Sequence, residues 1–282
     1  MRCIRPRLCG RAAFPCGKCR PCLVTKSRVW QHRIILEARS HKSSVFCTLT
    51  YGQPRYYEYQ EELVPRDVQL WLKRLRKRVG SFRMFSCGEY GDQFGRPHYH
   101  AILFGVRACL GGPIDRLNGG WICLCPTCSA VRETWGFGFT SVSPLTPGRA
   151  QYIAEYVIKR MSSVGDPRLN GRHPEFLRMS LRPHGIGACV VPDVCAVMKQ
   201  WPDRYPDVPL VLKNGKSYYP LGRYLRKKVR DELGITTDDM EVREDLVLRL
   251  VRLRAQQTGQ SVSAVYEEAF PDQTTVAEKG SL

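Results

Sequence analysis

Residues 96–106 read RPHYHAILFGV, two histidines around one aromatic residue followed by an apolar run. A strand alternates its side chains between faces with a period of two. His98 and His100 therefore share a face with Ile102 and Phe104, while Tyr99, Ala101 and Leu103 take the other. The run is predicted to be a buried strand. Two imidazoles on one of its faces are either a pair of metal ligands or two satisfied side chains at a strand end, and the rest of the sequence must decide.

The neighbouring segments supply a sheet. FRMFSCGEY at 82–90 reads as a strand, and GDQFGR turns it into the histidine strand as an antiparallel hairpin. VFCTLTY at 45–51 reads as a strand ended by Gly52-Gln53-Pro54, and GFTSVS at 138–143 as another. Helical patterns cover 25–39, 65–80, 147–163, 221–234 and 238–259. In the first of these Val29, Ile35 and Leu36 are the apolar positions, and Arg28, Arg33 and Arg39 the polar ones. The second opens on Pro65, ends on Gly80 and carries an apolar stripe of Val68, Leu72, Leu75 and Val79. Residues 107–128 form a Gly- and Cys-containing insertion, 164–220 read as irregular, and no internal repeat is present. The expected class is α+β, a central antiparallel sheet with flanking helices. Its predicted segments are a Cys-rich basic stretch (1–24), a core (25–187), a helical C-terminal region (188–270) and a frayed tail (271–282).

Charge narrows the function. Of the 282 residues 43% are apolar, enough for a real core and against wholesale disorder. Lys and Arg number 44 against 26 acids, a net +18. Residues 1–42 hold eleven basic side chains and one acid, Glu37, a local +10, whereas residues 237–282 hold nine acids and five basic residues, a local −4. A basic front half is the footprint of a polyanion binder, the alternative being a solvated surface. The outer face of the 65–80 helix adds Lys73, Arg74, Arg76, Lys77 and Arg78 as candidate DNA contacts. No run of eighteen apolar residues exists, so no membrane helix is expected. The N-terminus lacks the apolar stretch of a secretion signal, which points to a reducing intracellular compartment.

The thirteen cysteines then read as thiols or metal ligands. Cys16, Cys19 and Cys22 form C-x2-C-x2-C, with Cys3 and Cys9 upstream and Cys123, Cys125 and Cys128 later. Thiolates at this spacing suit tetrahedral zinc. Three from the first cluster plus one from elsewhere would make a structural Zn2+ site. The fourth ligand stays open, as does the alternative of free thiols.

The helix at 147–163 carries a second constellation. Tyr152, Tyr156 and Lys159 follow at spacings of four and three, on one side and over roughly 10 Å of axis. Tyrosines at this spacing commonly pack a core, but Ile153, Val157 and Met161 already supply a core-facing stripe. The Tyr-Tyr-Lys stripe is free to face a site, and a cation beside a phenol favours the nucleophilic phenolate. Glu89, at the end of the preceding strand, is the candidate third ligand beside His98 and His100, unless it caps the turn or pairs with Arg96. Two imidazoles and a carboxylate suit a divalent cation (Mg2+ or Mn2+) with positions left for substrate oxygens. A tyrosine nucleophile, a metal and a basic front half together describe attack on a phosphodiester.

HYHAILFG resembles the His-hydrophobic-His motif of HUH endonucleases, and QYIAEYVIKR their two-tyrosine motif. The ordered blocks PCGKCRPC, GEYGDQFGRPHYHAILFG, WGFGF, YIAEYVIKR and FLRMSLRPHGIG are similar to those of replication initiators of microviruses, the gokushovirus-like single-stranded DNA phages, from about Cys16 to Gly187. The resemblance implies rolling-circle initiation in the cytoplasm of an infected bacterium. The viral strand is nicked at its origin, leaving a 5′-phosphotyrosine and a 3′-OH primer, and the two tyrosines alternate between cleavage and rejoining. It implies single-stranded origin DNA, a host helicase and a host DNA polymerase as partners, and no membrane. Tyr156 is expected to cut first because it lies nearer Lys159. The block containing Leu181 and His184 departs from the pattern, and CLCPTC at 123–128 is unassigned.

Three rival classes differ at named positions. Histidine-triad hydrolases need a histidine where Ile102 stands. A plasmid relaxase of the single-tyrosine kind does not need the second tyrosine. A non-catalytic basic zinc-knuckle protein that binds nucleic acid, its tyrosines stacking on bases, explains cysteines and charge but leaves the histidine strand idle.

Overall fold

The structure is a computed structural model, and it describes all residues except 1–2, 10–11, 53–60, 92–93, 110, 112–113, 118–119, 160–164, 206, 236–245 and 270–282. The elements in chain order begin with β1 (Arg7–Cys9), β2 (Ala12–Phe14), α1 (Arg20–Arg39), β3 (Ser44–Thr50), α2 (Pro65–Val79), β4 (Arg83–Tyr90) and β5 (Pro97–Phe104). There follow β6 (Ile114–Leu117), β7 (Gly120–Cys123), α3 (Pro126–Trp135), β8 (Thr140–Pro144), α4 (Pro147–Lys159) and β9 (Phe176–Met179). The last are α5 (Val191–Gln200), β10 (Val211–Asn214), β11 (Ser217–Pro220), α6 (Gly222–Leu233), α7 (Leu246–Thr258) and α8 (Val262–Ala269).

The chain divides into two compact units, one of residues 27–229 and one of residues 1–26 with 230–282. In the first, five strands form one antiparallel sheet in the order β8-β3-β5-β4-β9. The histidine strand β5 is central, and the hairpin with β4 sets Glu89 opposite His98 and Cys87 opposite His100. The period-two pattern sorts the sheet into two cores. Val45, Cys47, Leu49, Tyr99, Ala101 and Leu103 pack under Val68, Trp71, Leu72 and Leu75 of α2 and Ala130, Val131 and Trp135 of α3. Phe46, Phe85, Ile102 and Phe104 pack on the other side against Ile34 of α1 and Ala150, Ile153 and Val157 of α4. The expected α+β sheet with flanking helices is the fold.

Local chemistry explains the helix ends. Pro65 opens α2 with its φ preset and no N–H to satisfy. Gly80, at φ +88°, closes it with its N–H on the Arg76 carbonyl. Asp67 in the first turn and Arg76, Lys77 and Arg78 in the last complement the helix dipole. Pro126 opens α3, whose N-cap is the Cys125 thiol, accepting from Cys128 N–H.

Several sequence expectations change. The Cys-rich segment is not all loop, because α1 begins at Arg20 and a short hairpin of β1 and β2 precedes it. The insertion contains the β6–β7 hairpin and the start of α3. The stretch 164–220 holds β9, which pairs with β4 at the sheet edge, as well as α5 and the β10–β11 hairpin. Its Pro and Gly residues punctuate these short elements rather than abolish them. Arg33, placed on a polar face by the sequence, is buried: its guanidinium lies 4.1 Å from the Trp30 ring centre and 4.4 Å from that of Tyr224, and Nε donates to the Ile186 carbonyl. Val79, the last member of the predicted α2 stripe, is exposed, and Trp71 takes its place in the core. In the second unit Val251 and Ala255 of α7 pack on Val265 of α8. The frayed tail, the start of the predicted 238–259 helix and Met161 lie outside the described residues.

Candidate active site

His100, Glu89 and both tyrosines meet on the α4 side of the sheet. A cleft of about 440 Å³ opens there, lined by Phe46, Thr48, Glu89, Gly91, His98, His100 and Tyr152. His100 is buried and spans two partners: Nε2 lies 2.8 Å from Glu89 Oε1 and Nδ1 lies 3.1 Å from Thr48 Oγ1. A carboxylate only accepts, so Nε2 carries the proton toward Glu89. Thr48 and Phe46 were not singled out from the sequence. Their shared parity on β3 carries the signal, but only the β3–β5 register, with Thr48 opposite His100, turns it into a neighbour.

The tyrosines of α4 stand over this pair. The Tyr156 ring stacks on His100 with centres 5.4 Å apart and planes 15° apart, and Tyr152 meets the same imidazole edge-on at 5.3 Å. Tyr156 OH donates to Tyr152 OH at 2.5 Å. The two differ in setting: Tyr152 is 42% exposed and lines the cleft, whereas Tyr156 is half-buried beneath it. Burial, then the hydrogen bond with Tyr152 and the negative Glu89 carboxylate, push the Tyr156 phenol well above its ordinary pKa. That direction is opposite to the phenolate-favouring effect expected of Lys159. Lys159 closes α4, but its side chain lies outside the described residues.

His98 is half-buried, with Nδ1 2.7 Å from the Arg96 carbonyl. This contact orients the ring and leaves Nε2 as the coordinating atom. Gly91 makes room for it, since a Cβ there would stand 3.1 Å from His98 Cε1 and 3.3 Å from Nδ1. Imidazole, imidazole and carboxylate at the wall of an open cleft form a donor set that fits a divalent cation. Glu89 meets His100 directly, so neither turn-capping nor the Arg96 pairing is its observed role. The three donors are not gathered as tightly as the cysteines. Among the described residues, the groups of three or more ligating side chains with atoms within 4.8 Å of one another are two cysteine quartets.

The basic residues of α2 lie across the sheet from the tyrosines, because α2 packs on the opposite face from α4. Arg74 Nε donates to the Thr134 carbonyl at 2.8 Å, Arg76 stacks 4.7 Å from the Phe82 ring centre, and Arg78 pairs with Glu133 at 2.5 Å. Lys73 and Lys77 are exposed. No described helix is long and apolar enough to cross a membrane.

Residues 44–161, from β3 to the end of the tyrosine helix, match the family described as replication-associated protein ORF2. The chain is 30% identical over 155 residues to the replication-associated protein ORF4 of Chlamydia phage 1, covering 52% of this chain and 38% of that one. It is 27% identical over 232 residues to replication-associated protein VP4 of Bdellovibrio phage phiMH2K, covering 75% of this chain and 66% of that one. Against replication-associated protein ORF2 of Spiroplasma virus 4 the identity is 33% over 187 residues, covering 62% of this chain and 56% of that one. The chain thus spans between about two fifths and two thirds of the length of these relatives. No solved structure matches it. The class these findings define is the phage replication-associated protein. Within that class the resemblance to replication initiators of microviruses is borne out.

Proposed function

We propose that this chain is an HUH-type endonuclease that starts rolling-circle replication by nicking and rejoining single-stranded DNA at the viral origin. The observation that carries this reading is the stack of Tyr152 and Tyr156 on His100, itself hydrogen-bonded to Glu89, at an open cleft. The cleft is open to a DNA strand on the side where Tyr152 is exposed.

A divalent cation held by His98, His100 and Glu89 would polarise the scissile phosphodiester and neutralise its charge. The chain's own residues supply the rest. Tyr152 attacks phosphorus through its hydroxyl oxygen. Its P–O bond forms as the bond to the 3′ oxygen breaks, leaving a 5′-phosphotyrosine and a free 3′-OH. Tyr156, held protonated by burial, donates its hydrogen bond to the Tyr152 oxygen and so stabilises negative charge developing there. This inverts the order expected from the distance to Lys159. Exposure and hydrogen-bond direction favour Tyr152 for the first cut. Tyr156 is then the nucleophile of the second, made while the first still holds DNA.

The reaction takes place in the cytoplasm of the infected bacterium, where a host helicase and a host DNA polymerase extend the 3′-OH. The test is incubation with 3′-labelled single-stranded origin DNA and Mn2+, followed by denaturing electrophoresis and mapping of the DNA–peptide adduct. Label on the protein at Tyr152 is expected. An adduct on Tyr156 alone overturns the order. Absence of any covalent adduct overturns the reaction in favour of non-covalent binding.

A further inference from the structure

Eight of the cysteines are drawn into two quartets in which every sulfur lies within 4.8 Å of the other three. One is Cys3, Cys16, Cys19 and Cys22, and the other Cys109, Cys123, Cys125 and Cys128. We propose that each quartet holds one structural zinc ion, so that the chain carries two.

Distance is the first argument. Four thiolates around one zinc at about 2.3 Å must lie about 3.8 Å apart along each edge of the tetrahedron. Cys19 Sγ is 3.8 Å from Cys3 Sγ, Cys16 Sγ is 4.0 Å from Cys22 Sγ, and Cys109 Sγ is 3.7 Å from Cys123 Sγ. A disulfide requires about 2.05 Å and joins sulfurs two at a time. All eight are free cysteines.

The backbone gives a second, independent argument. In the first quartet Cys16 N–H points at Cys3 Sγ (3.2 Å), and Lys18 and Cys19 N–H both point at Cys16 Sγ (3.5 and 3.4 Å). In the second, Cys125 N–H points at Cys123 Sγ and Cys128 N–H at Cys125 Sγ, each at 3.4 Å. Amides aimed at sulfur stabilise thiolate rather than thiol. Binding follows as Zn2+ plus four thiols giving a tetrathiolate complex of charge −2 and four released protons. Each site has positive charge in sequence or in space to meet that dianion. Lys18 and Arg20 lie within the first motif, and Arg132 Nη1 is 3.2 Å from the Cys123 carbonyl beside the second.

Each ion has a definite structural task. The first ties Cys3 to the turn that enters α1. The second ties the loop at Cys109 and the end of β7 to the first turn of α3. The far end of α3 is anchored by Trp135, whose Nε1 donates to the Thr50 carbonyl at 3.0 Å.

Metal analysis and zinc-edge X-ray absorption on the purified full chain test this. Two zinc ions per chain are expected, in a shell of four sulfurs at about 2.3 Å. Cys19→Ser and Cys125→Ser should each reduce the content from two to one, while His98→Ala leaves it at two. The absorption measurement needs no variant, so it stands even where a serine substitution prevents folding. Zinc below two per chain in the wild type, iron in its place, nitrogen or oxygen in the shell, or loss of zinc in His98→Ala would overturn the proposal.

Discussion

Glu37 is the only acid among the first 42 residues, and the fold uses it as a buried junction. Its carboxylate accepts from Arg83 Nε at 2.5 Å and from Gly187 N–H at 2.7 Å, and lies 3.3 Å from His41. Burial alone would raise its pKa, but these donors outweigh it and hold the group below its ordinary value. A lowered folded pKa contributes stability that is present above the unfolded value of about 4.3 and lost as pH falls through the folded one. Removing one partner of a buried pair costs about 3 kcal/mol, so Glu37→Gln should be destabilised by that order at pH 7. Urea titrations of both proteins at pH 7 and pH 3 should show the gap narrowing in acid. An equal gap at both would refute the account. A second residue-scale expectation concerns Gly91: Gly91→Ala should crowd His98 and depress DNA cleavage several-fold while shifting urea stability by less than about 1 kcal/mol. Unchanged cleavage would dissociate the His98 ring position from activity.

At the level of elements, the WGFGF block shows why a turn is constrained. A Cβ at Gly138 would fall 2.2 Å from Gly52 N and 2.6 Å from the Thr50 carbonyl oxygen, where the chain entering β8 lies against the end of β3. Those are backbone atoms, so nothing can rotate aside. Gly138→Ala should therefore cost more than about 3 kcal/mol, as overpacking against fixed atoms does at its upper range. Loss of cooperative thermal unfolding by circular dichroism would show it, and a native-like transition would refute the close approach. Sequence patterning located these elements because each strand and helix announces itself by period and by its Pro and Gly ends. β9 escaped because four residues, FLRM, are too few to display a period. Its place at the β4 edge comes from pairing alone.

For the whole molecule, the separation of charge from chemistry has consequences. The cleft lies on the α4 face of the sheet, and the exposed Lys73 and Lys77 lie on the α2 face. Replacing both by alanine should weaken single-stranded DNA binding and flatten its dependence on log salt by up to about 1.4, at roughly 0.7 per phosphate contact. Cleavage at saturating DNA should not change. A slower saturated reaction would mean that the basic helix helps to position the scissile strand. Arg74, Arg76 and Arg78 have contacts within the protein to satisfy, so their alanine variants should trade stability as well as affinity.

The sequence by itself determined the α+β class, the hairpin that sets Glu89 beside the histidine strand, and the four-residue spacing of Tyr152 and Tyr156. All are short-range properties, written in alternation, turn residues and helical repeat. It also showed that Cys16, Cys19 and Cys22 belong together. Only the tertiary structure decided what meets across long separations in the chain. Tyr156 lies on His100, 56 positions earlier, and Cys3 and Cys109 complete their quartets. The α2 charges turn away from the cleft, and Arg33 and Glu37 become interior residues. The physical reason is the same in each case. Periodicity says which side of an element faces inward, but the neighbour it meets there is set by strand register and by the sheet face on which each helix packs.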